Sequence, residues 1–162
     1  MNYKSKQHLT EALTTITLSI LYVVFATGER APNVSDLESW ARTILVFIGA
    51  IVVINIAVQI IFHVFFSAAV AVEASKKHEE HLTERIIASS LRHDERDKQI
   101  NHHAGYIASF IISFGFILSV IFLAFGGKPL ISLHISLAGL IFASLVHSII
   151  NVIAYERGVA NG

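Results

Sequence analysis

Asn55, Gln59, His63 and Ser67 recur every fourth position in "NIAVQIIFHVFFS", a stretch otherwise built almost entirely from Ile, Val, Phe and Ala. A second row, Gly139, Ala143, His147, Asn151 and Tyr155, repeats the spacing towards the C-terminus. Residues four apart stack along one edge of a helix, so each row is a polar edge on an apolar rod. Three kinds of chemistry suit such edges. As packing, they bury groups that hydrocarbon cannot satisfy, each interhelical hydrogen bond contributing about 0.6–2 kcal/mol. As ligands, imidazoles bind haem iron, and His63 and His147, at comparable depth, fit bis-histidine ligation of a b-type haem. His134, near the outer end of the last segment, has no ligating partner on the second. As ionisable groups within a membrane, the histidines are candidates for an ion or proton path, or for a ligand cavity. No Asp, Glu, Lys or Arg is expected deep in any apolar segment, so that path rests on His63 and His147.

A second group of histidines lies in "EASKKHEEHLTERIIASSLRHDERDKQINHHAGY". His78 and His81, three apart, share a helical face with Glu84, and His102 and His103 lie at the mouth of the next apolar segment. Together they could hold a divalent ion, although the same pattern describes a solvated, pH-responsive helix surface. Enzyme signatures are missing: there is no HExxH, no phosphate-binding glycine loop and no nucleophile elbow. Asp94, Glu95 and Asp97 alternate with Arg96 and Lys98, a neutralised surface. The chain has no cysteine, which removes disulfides, thiolate metal sites and cysteine nucleophiles. Twelve basic residues balance twelve acidic ones, so no basic field points to nucleic acid. The expectation is a protein without enzymatic activity or cofactor, with haem b or a divalent metal as alternatives.

The elements that must carry these residues are apolar. Of the 162 residues 54% are hydrophobic, and the mean hydropathy is +0.63, too apolar for an ordinary soluble domain. Residues 9–27, 43–72, 104–125 and 130–154 are nearly free of charge, and each is long enough for the roughly 20 residues a helix needs to cross about 30 Å of hydrocarbon. The first block is Thr-rich with Glu11 near its start, and a cleavable signal peptide is its rival reading. Lys4, Lys6, Lys76, Lys77, Arg85, Arg92, Arg96, Lys98 and Arg157 fall on one side, against Arg30, Arg42 and Lys128 on the other. The positive-inside rule then puts both termini and the central segment, residues 73–103, in the cytoplasm. Ser35 and Glu38 form a capping box before the second segment, and Trp40 stands where an interfacial anchor would. With no Gly or Pro between Gly49 and Gly105, the second helix is expected to run beyond the membrane to about Arg92. Gly126, Gly127 and Pro129 close one helix and open the next. Gly105, Ser109 and Ser113 supply a small-residue row on the third segment. "VQIIFHVFFS" and "VHSIINVIAY" align without a gap, so the halves are expected to relate as parallel repeats about an axis along the membrane normal.

Asp94, Glu95, Arg96, Asp97 and Ile100, leading into the third segment, and Tyr155, Arg157 and Gly158 at the end of the fourth carry a resemblance. They resemble an uncharacterised family of small prokaryotic four-helix integral membrane proteins, a domain of unknown function with a D-E-R-D-x-x-I segment. Glu156 stands where that family has a basic residue. The resemblance implies a bacterial or archaeal inner-membrane protein and association with small transcriptional regulators. Asp94–Asp97 are expected to cap the third helix at its N-terminus, with Arg96 bridging to Glu79, Glu80 or Glu84.

The combined expectation is an all-α integral membrane four-helix bundle, both termini inside, with helix 2 extended into the cytoplasm. Its role would be sensing, regulation or interaction through residues 73–103, as a homo-oligomer with a cytoplasmic protein partner. An oligomeric channel or transporter using the polar rows, and a b-haem protein, are the alternatives.

Overall fold

Four helices make up nearly all of the described chain: α1 Tyr3–Thr27, α2 Leu37–Ala74, α3 Thr83–Ala124 and α4 Pro129–Ala160. This computed structural model describes residues 3–74 and 83–160, with side chains over 4–62, 64–65 and 95–157. Each helix contains a span long and apolar enough to cross a membrane: Lys4–Thr27, Leu37–Phe62, Glu95–Ala124 and Pro129–Arg157. By length and composition this is an all-α, multi-pass membrane protein. The packing has the matching polarity. The largest fully buried side chains are Asn151, Thr15, Ser5 and Ser148, all polar, while Phe65, Phe110 and Phe125 point outward. A water-soluble fold would reverse that pattern.

Local chemistry sets the helix ends and tolerates the threonines. Thr10, Thr14 and Thr17 donate to the carbonyls of Lys6, Thr10 and Leu13, and Ser19 to that of Thr15, at 2.7–2.9 Å. These four hydroxyls are thus satisfied within the helix, which suits an apolar environment. The cap of α2 is Asp36 rather than Ser35. Its Oδ1 accepts from the Ser39 amide at 3.0 Å and its Oδ2 from the Ser39 hydroxyl at 2.7 Å, while Ser35 turns back to Asn33. Glu38 pairs with Arg42 instead of closing a capping box. At the α3–α4 turn, Gly126 has φ +81°, a conformation open to glycine. The Gly127 and Gly126 amides donate to Phe122 and Leu123 carbonyls at 2.9 Å, a Schellman motif, and Pro129 follows as the first residue of α4.

Helix α4 is central. It packs against α3, α1 and α2, and α2 leans mainly on α1. Among the described residues α2 and α3 do not touch, so the helices run α2–α1–α4–α3 around an arc with one open side. A twofold between the halves would match the α1–α4 contact with an α3–α2 contact. That counterpart is missing, so the expected repeat symmetry does not hold. The α3–α4 hairpin is tight because backbone meets backbone: a Cβ on Gly115 would stand 3.0 Å from Gly139 Cα. Beside this crossing the buried Ser119 and Ser132 hydroxyls lie 2.6 Å apart, and each reaches the other's carbonyl. The small residues expected to pack α3 are not the ones that do. Ser109 and Ser113 are exposed, and Ala104, Gly115 and Ser119 face inward.

At the end away from the termini, Tyr22, Phe47, Trp40 and His134 join α1, α2 and α4. Trp40 is 4% exposed, so it packs inside rather than anchoring at the membrane surface. Its ring lies 5.1 Å from His134. His134 Nδ1 lies 2.8 Å from the Leu130 carbonyl, which only accepts, so Nδ1 carries a proton. Nε2 then accepts a hydrogen bond from the Tyr22 hydroxyl at 3.0 Å. His134 therefore does have partners on the other helices, but they are hydrogen-bonding and packing partners.

Helix α2 is described to Ala74 and α3 from Thr83. Residues as far as Arg92, expected to prolong α2, thus belong in part to α3. Asp94–Asp97 lie more than two turns inside α3 and do not cap its N-terminus.

Candidate functional site

Helix α1 is wedged between α2 and α4, and adjacent residues on it serve the two sides. Gln7 Nε2 donates to Gln59 Oε1 on α2 at 2.5 Å. His8 turns to α4, edge-on to His147 with ring centroids 6.1 Å apart and stacked on Tyr155 at 5.8 Å. Its Nδ1 lies 3.1 Å from a Glu11 carboxylate oxygen. A carboxylate only accepts, so Nδ1 carries the proton there. One turn further along, the fully buried Thr15 receives Asn55 Nδ2 from α2 at 3.5 Å. At the terminal end, Lys4 Nζ is 3.6 Å from Asp97 Oδ2 on α3, and the Tyr155 hydroxyl faces the same carboxylate. The start of α1 and the end of α4 therefore lie at one end of the bundle.

These groups border a cavity of about 390 Å³ on the open side of the arc. All four helices line it. Its polar groups are Glu11, Thr15, Asn55, Ser144 and His147, set among Ile51, Ile56, Ile112 and Leu140. No Lys or Arg is among the lining residues, and Glu11 is the one carboxylate. Glu11, near the start of the first apolar block, thus faces inward.

The hydrogen bonds leave three amide oxygens over. Asn55 Nδ2 donates to the Ile51 carbonyl at 3.0 Å and Asn151 Nδ2 to the His147 carbonyl at 2.9 Å. Backbone carbonyls only accept, so both amides are fixed with nitrogen inward to the ladder and oxygen free. Asn55 Oδ1, Asn151 Oδ1 and Gln7 Oε1 are buried acceptors without a donor, and the Ser5 and Ser148 hydroxyls are buried without a hydrogen-bond partner. Buried polar atoms are normally paired, and the unpaired oxygen of Asn55 belongs to a residue that lines the cavity together with Glu11.

No family model, no curated protein and no solved structure matches the chain. What the site does is therefore argued from its geometry.

The row on α4 lies inward, with Ala143, Asn151 and Tyr155 buried and His147 half-buried. The row on α2 is met by α1 through Asn55 and Gln59, while the His63 and Ser67 side chains lie outside the described residues. A haem held by His63 and His147 would need a macrocycle between α2 and α4. One turn before His63, Gln59 is bonded to Gln7 of α1, and the neighbouring His8 fills the space at His147. The His63 side chain lies outside the described residues, and nothing described brings a second ligand to His147 for the haem alternative. His78 and His81 lie outside the described residues, as does the Glu84 side chain. His102 and His103 are exposed on α3, and among the described residues no three His, Asp or Glu side chains gather as a metal set. Of the D-E-R-D-x-x-I residues, Glu95 and Arg96 are exposed, Asp97 and Ile100 half-buried, and the Asp94 side chain lies outside the described residues. Asp97 carries the contacts of that motif. Sequence reasoning passed over His8, Glu11 and Thr15, although His8, Glu11, Thr15 and Ser19 follow a spacing of three to four.

Proposed function

We propose that this is a non-enzymatic inner-membrane protein of a bacterial or archaeal cell, with both termini cytoplasmic, that binds a small ligand in the four-walled cavity and signals its occupancy to a cytoplasmic protein partner. The observation that carries the reading is the meeting of all four helices around one cavity, with Glu11, Asn55 and His147 from three of them and Ala108 and Ile112 from α3. Helix α3 supplies the route outward. It contributes Ala108 and Ile112 to the cavity wall, holds Asp97 against Lys4, and continues to Thr83, 12 residues before its apolar span begins at Glu95. At 1.5 Å per residue its 42 residues extend about 63 Å, twice the roughly 30 Å of hydrocarbon. A change in how α3 seats against the cavity is thus carried rigidly beyond the membrane.

Filling the cavity from within tests this. Ile112→Trp should act as a permanent occupant, and hydrogen exchange in nanodiscs should change within residues 83–103. Unchanged exchange there, with the indole buried, would refute the coupling.

A transporter or channel is the second reading, favoured by the open side between α2 and α3. A second copy of the chain would close that side and make the polar rows line a path. Proteoliposome flux that depends on Glu11 would favour it over signalling.

A further inference from the structure

Within the cavity reading above, on which this step rests, the chemistry of the walls defines the ligand. We infer that the cavity takes a protonated primary or secondary amine carrying a compact apolar body. Charge comes first. Glu11 is the one carboxylate among the lining residues and no Lys or Arg joins it, so a cation is favoured and an anion opposed. Only one Glu11 oxygen has a described partner, His8. Hydrogen bonding narrows the class. Asn55 lines the cavity with its nitrogen committed to the Ile51 carbonyl and its oxygen a buried acceptor without a donor. A carboxylate oxygen of Glu11 and the amide oxygen of Asn55, both on lining residues, ask for N–H donors, which a quaternary ammonium or a bare metal ion does not bring.

The remaining wall fixes the body of the ligand. Ile51, Val52, Ile56, Ile112, Leu140 and Ile141 offer no polar atom, which disfavours a hydrated inorganic cation and suits hydrocarbon. The volume of about 390 Å³ equals roughly a dozen waters at about 30 Å³ each, enough for a small arylalkyl or alkyl amine. The cavity lies on the side where α2 and α3 do not touch, so an amphiphilic cation can enter from the bilayer with its ammonium turned inward to Glu11.

The test is calorimetric titration of the full chain in nanodiscs with 2-phenylethylamine, its neutral isostere 2-phenylethanol, its N,N,N-trimethyl derivative and potassium chloride. Saturable binding of the primary amine is expected, with Glu11→Gln weakening it about tenfold or more, as loss of a charged hydrogen-bond partner does. Asn55→Leu should weaken it by a smaller factor, and both variants should elute and unfold like the parent. The ammonium assignment is overturned if 2-phenylethanol or the trimethyl derivative binds as tightly as the amine. It is also overturned if correctly folded Glu11→Gln keeps full affinity. In either case, loss of binding in Ile112→Trp would leave the cavity reading standing. If no probe binds the parent chain, or if Ile112→Trp leaves binding untouched, the cavity reading itself fails.

Discussion

Alanine at four different glycines should separate backbone contact from helix propensity. A Cβ on Gly115 would meet Gly139 Cα at 3.0 Å and one on Gly139 would meet Gly115 Cα at 3.1 Å, whereas Gly49 and Gly105 have nothing within 4 Å. Carbon contacts are comfortable at about 3.5–4.0 Å, so at the crossing the helices must part by roughly half an ångström or more. The obstacle is backbone, which no rotamer change relieves. Helix propensity alone favours alanine over glycine by about 1 kcal/mol. Overpacking typically costs about 1–3 kcal/mol. Parting the hairpin also stretches the Ser119–Ser132 hydroxyl contact of 2.6 Å, and membrane hydrogen bonds average about 0.6 kcal/mol. Gly115→Ala and Gly139→Ala should therefore destabilise by about 0.5–2.5 kcal/mol, while Gly49→Ala and Gly105→Ala should stabilise by up to about 1 kcal/mol. Reversible unfolding in mixed micelles of rising dodecyl sulfate content measures this, followed by the emission of Trp40, the one tryptophan of the chain. If Gly115→Ala or Gly139→Ala stabilised as much as Gly105→Ala, the two helices would not be in backbone contact.

Three other outcomes follow from single contacts. Ser119→Ala and Ser132→Ala should each cost about 0.6–1.7 kcal/mol, and the double variant less than their sum, because both remove the same reciprocal pair; a strictly additive cycle would argue against it. Tyr22→Phe should leave His134 Nε2 without its donor and shift Trp40 emission through the ring 5.1 Å away, whereas an unchanged spectrum would refute the Tyr22–His134–Trp40 chain. The Ser39 hydroxyl and amide hold the Asp36 carboxyl below its ordinary 3.8. A depressed folded value means the cap is fully in force above that pH and is lost as the pH falls through the lower one. Amide exchange at the start of α2 should therefore accelerate only below about pH 4, and Asp36→Ala should remove that dependence.

The membrane fold was legible because it depends on run length and apolarity, which are properties of the sequence alone. The closing turn of α3 was legible for a similar reason: Gly126, Gly127 and Pro129 each have local conformational meaning. The cap of α2 was missed because Ser35 and Asp36 are both capable acceptors, and only the direction of the incoming chain, turned by Asn33, chooses between them. The site divided along the same line. His147, Asn151 and Tyr155 stand out as polar residues in an apolar run. His8 and Glu11 do not, because they lie among Gln7, Thr10 and Thr14 near the start of α1 and look like the ragged edge of a weak span. Their importance comes from the partners that α4 brings to them, a long-range fact absent from local spacing.

That weakness of α1 has a physical cause. The Lys4–Thr27 and Pro129–Arg157 spans are the two least apolar of the four, and they are also the most covered, 17% and 22% buried against 11% for each of the others. A helix facing lipid on most sides must be apolar on most sides, because hydrocarbon leaves polar groups unsatisfied. A helix flanked by protein on two sides can carry Gln7, His8, Glu11 and Thr15, and these are the side chains that meet Gln59, His147 and Asn55. Low apolarity in a span of adequate length is thus a sign of central position rather than of doubtful membrane insertion. It predicts that polar substitutions on the exposed faces of α2, such as Val46→Ser, disturb insertion more than the same change at Ala12 of α1, which is 7% exposed against 70% for Val46. Glycosylation-site mapping of the inserted fraction would measure the difference, and equal losses at the two positions would contradict the arrangement α2–α1–α4–α3.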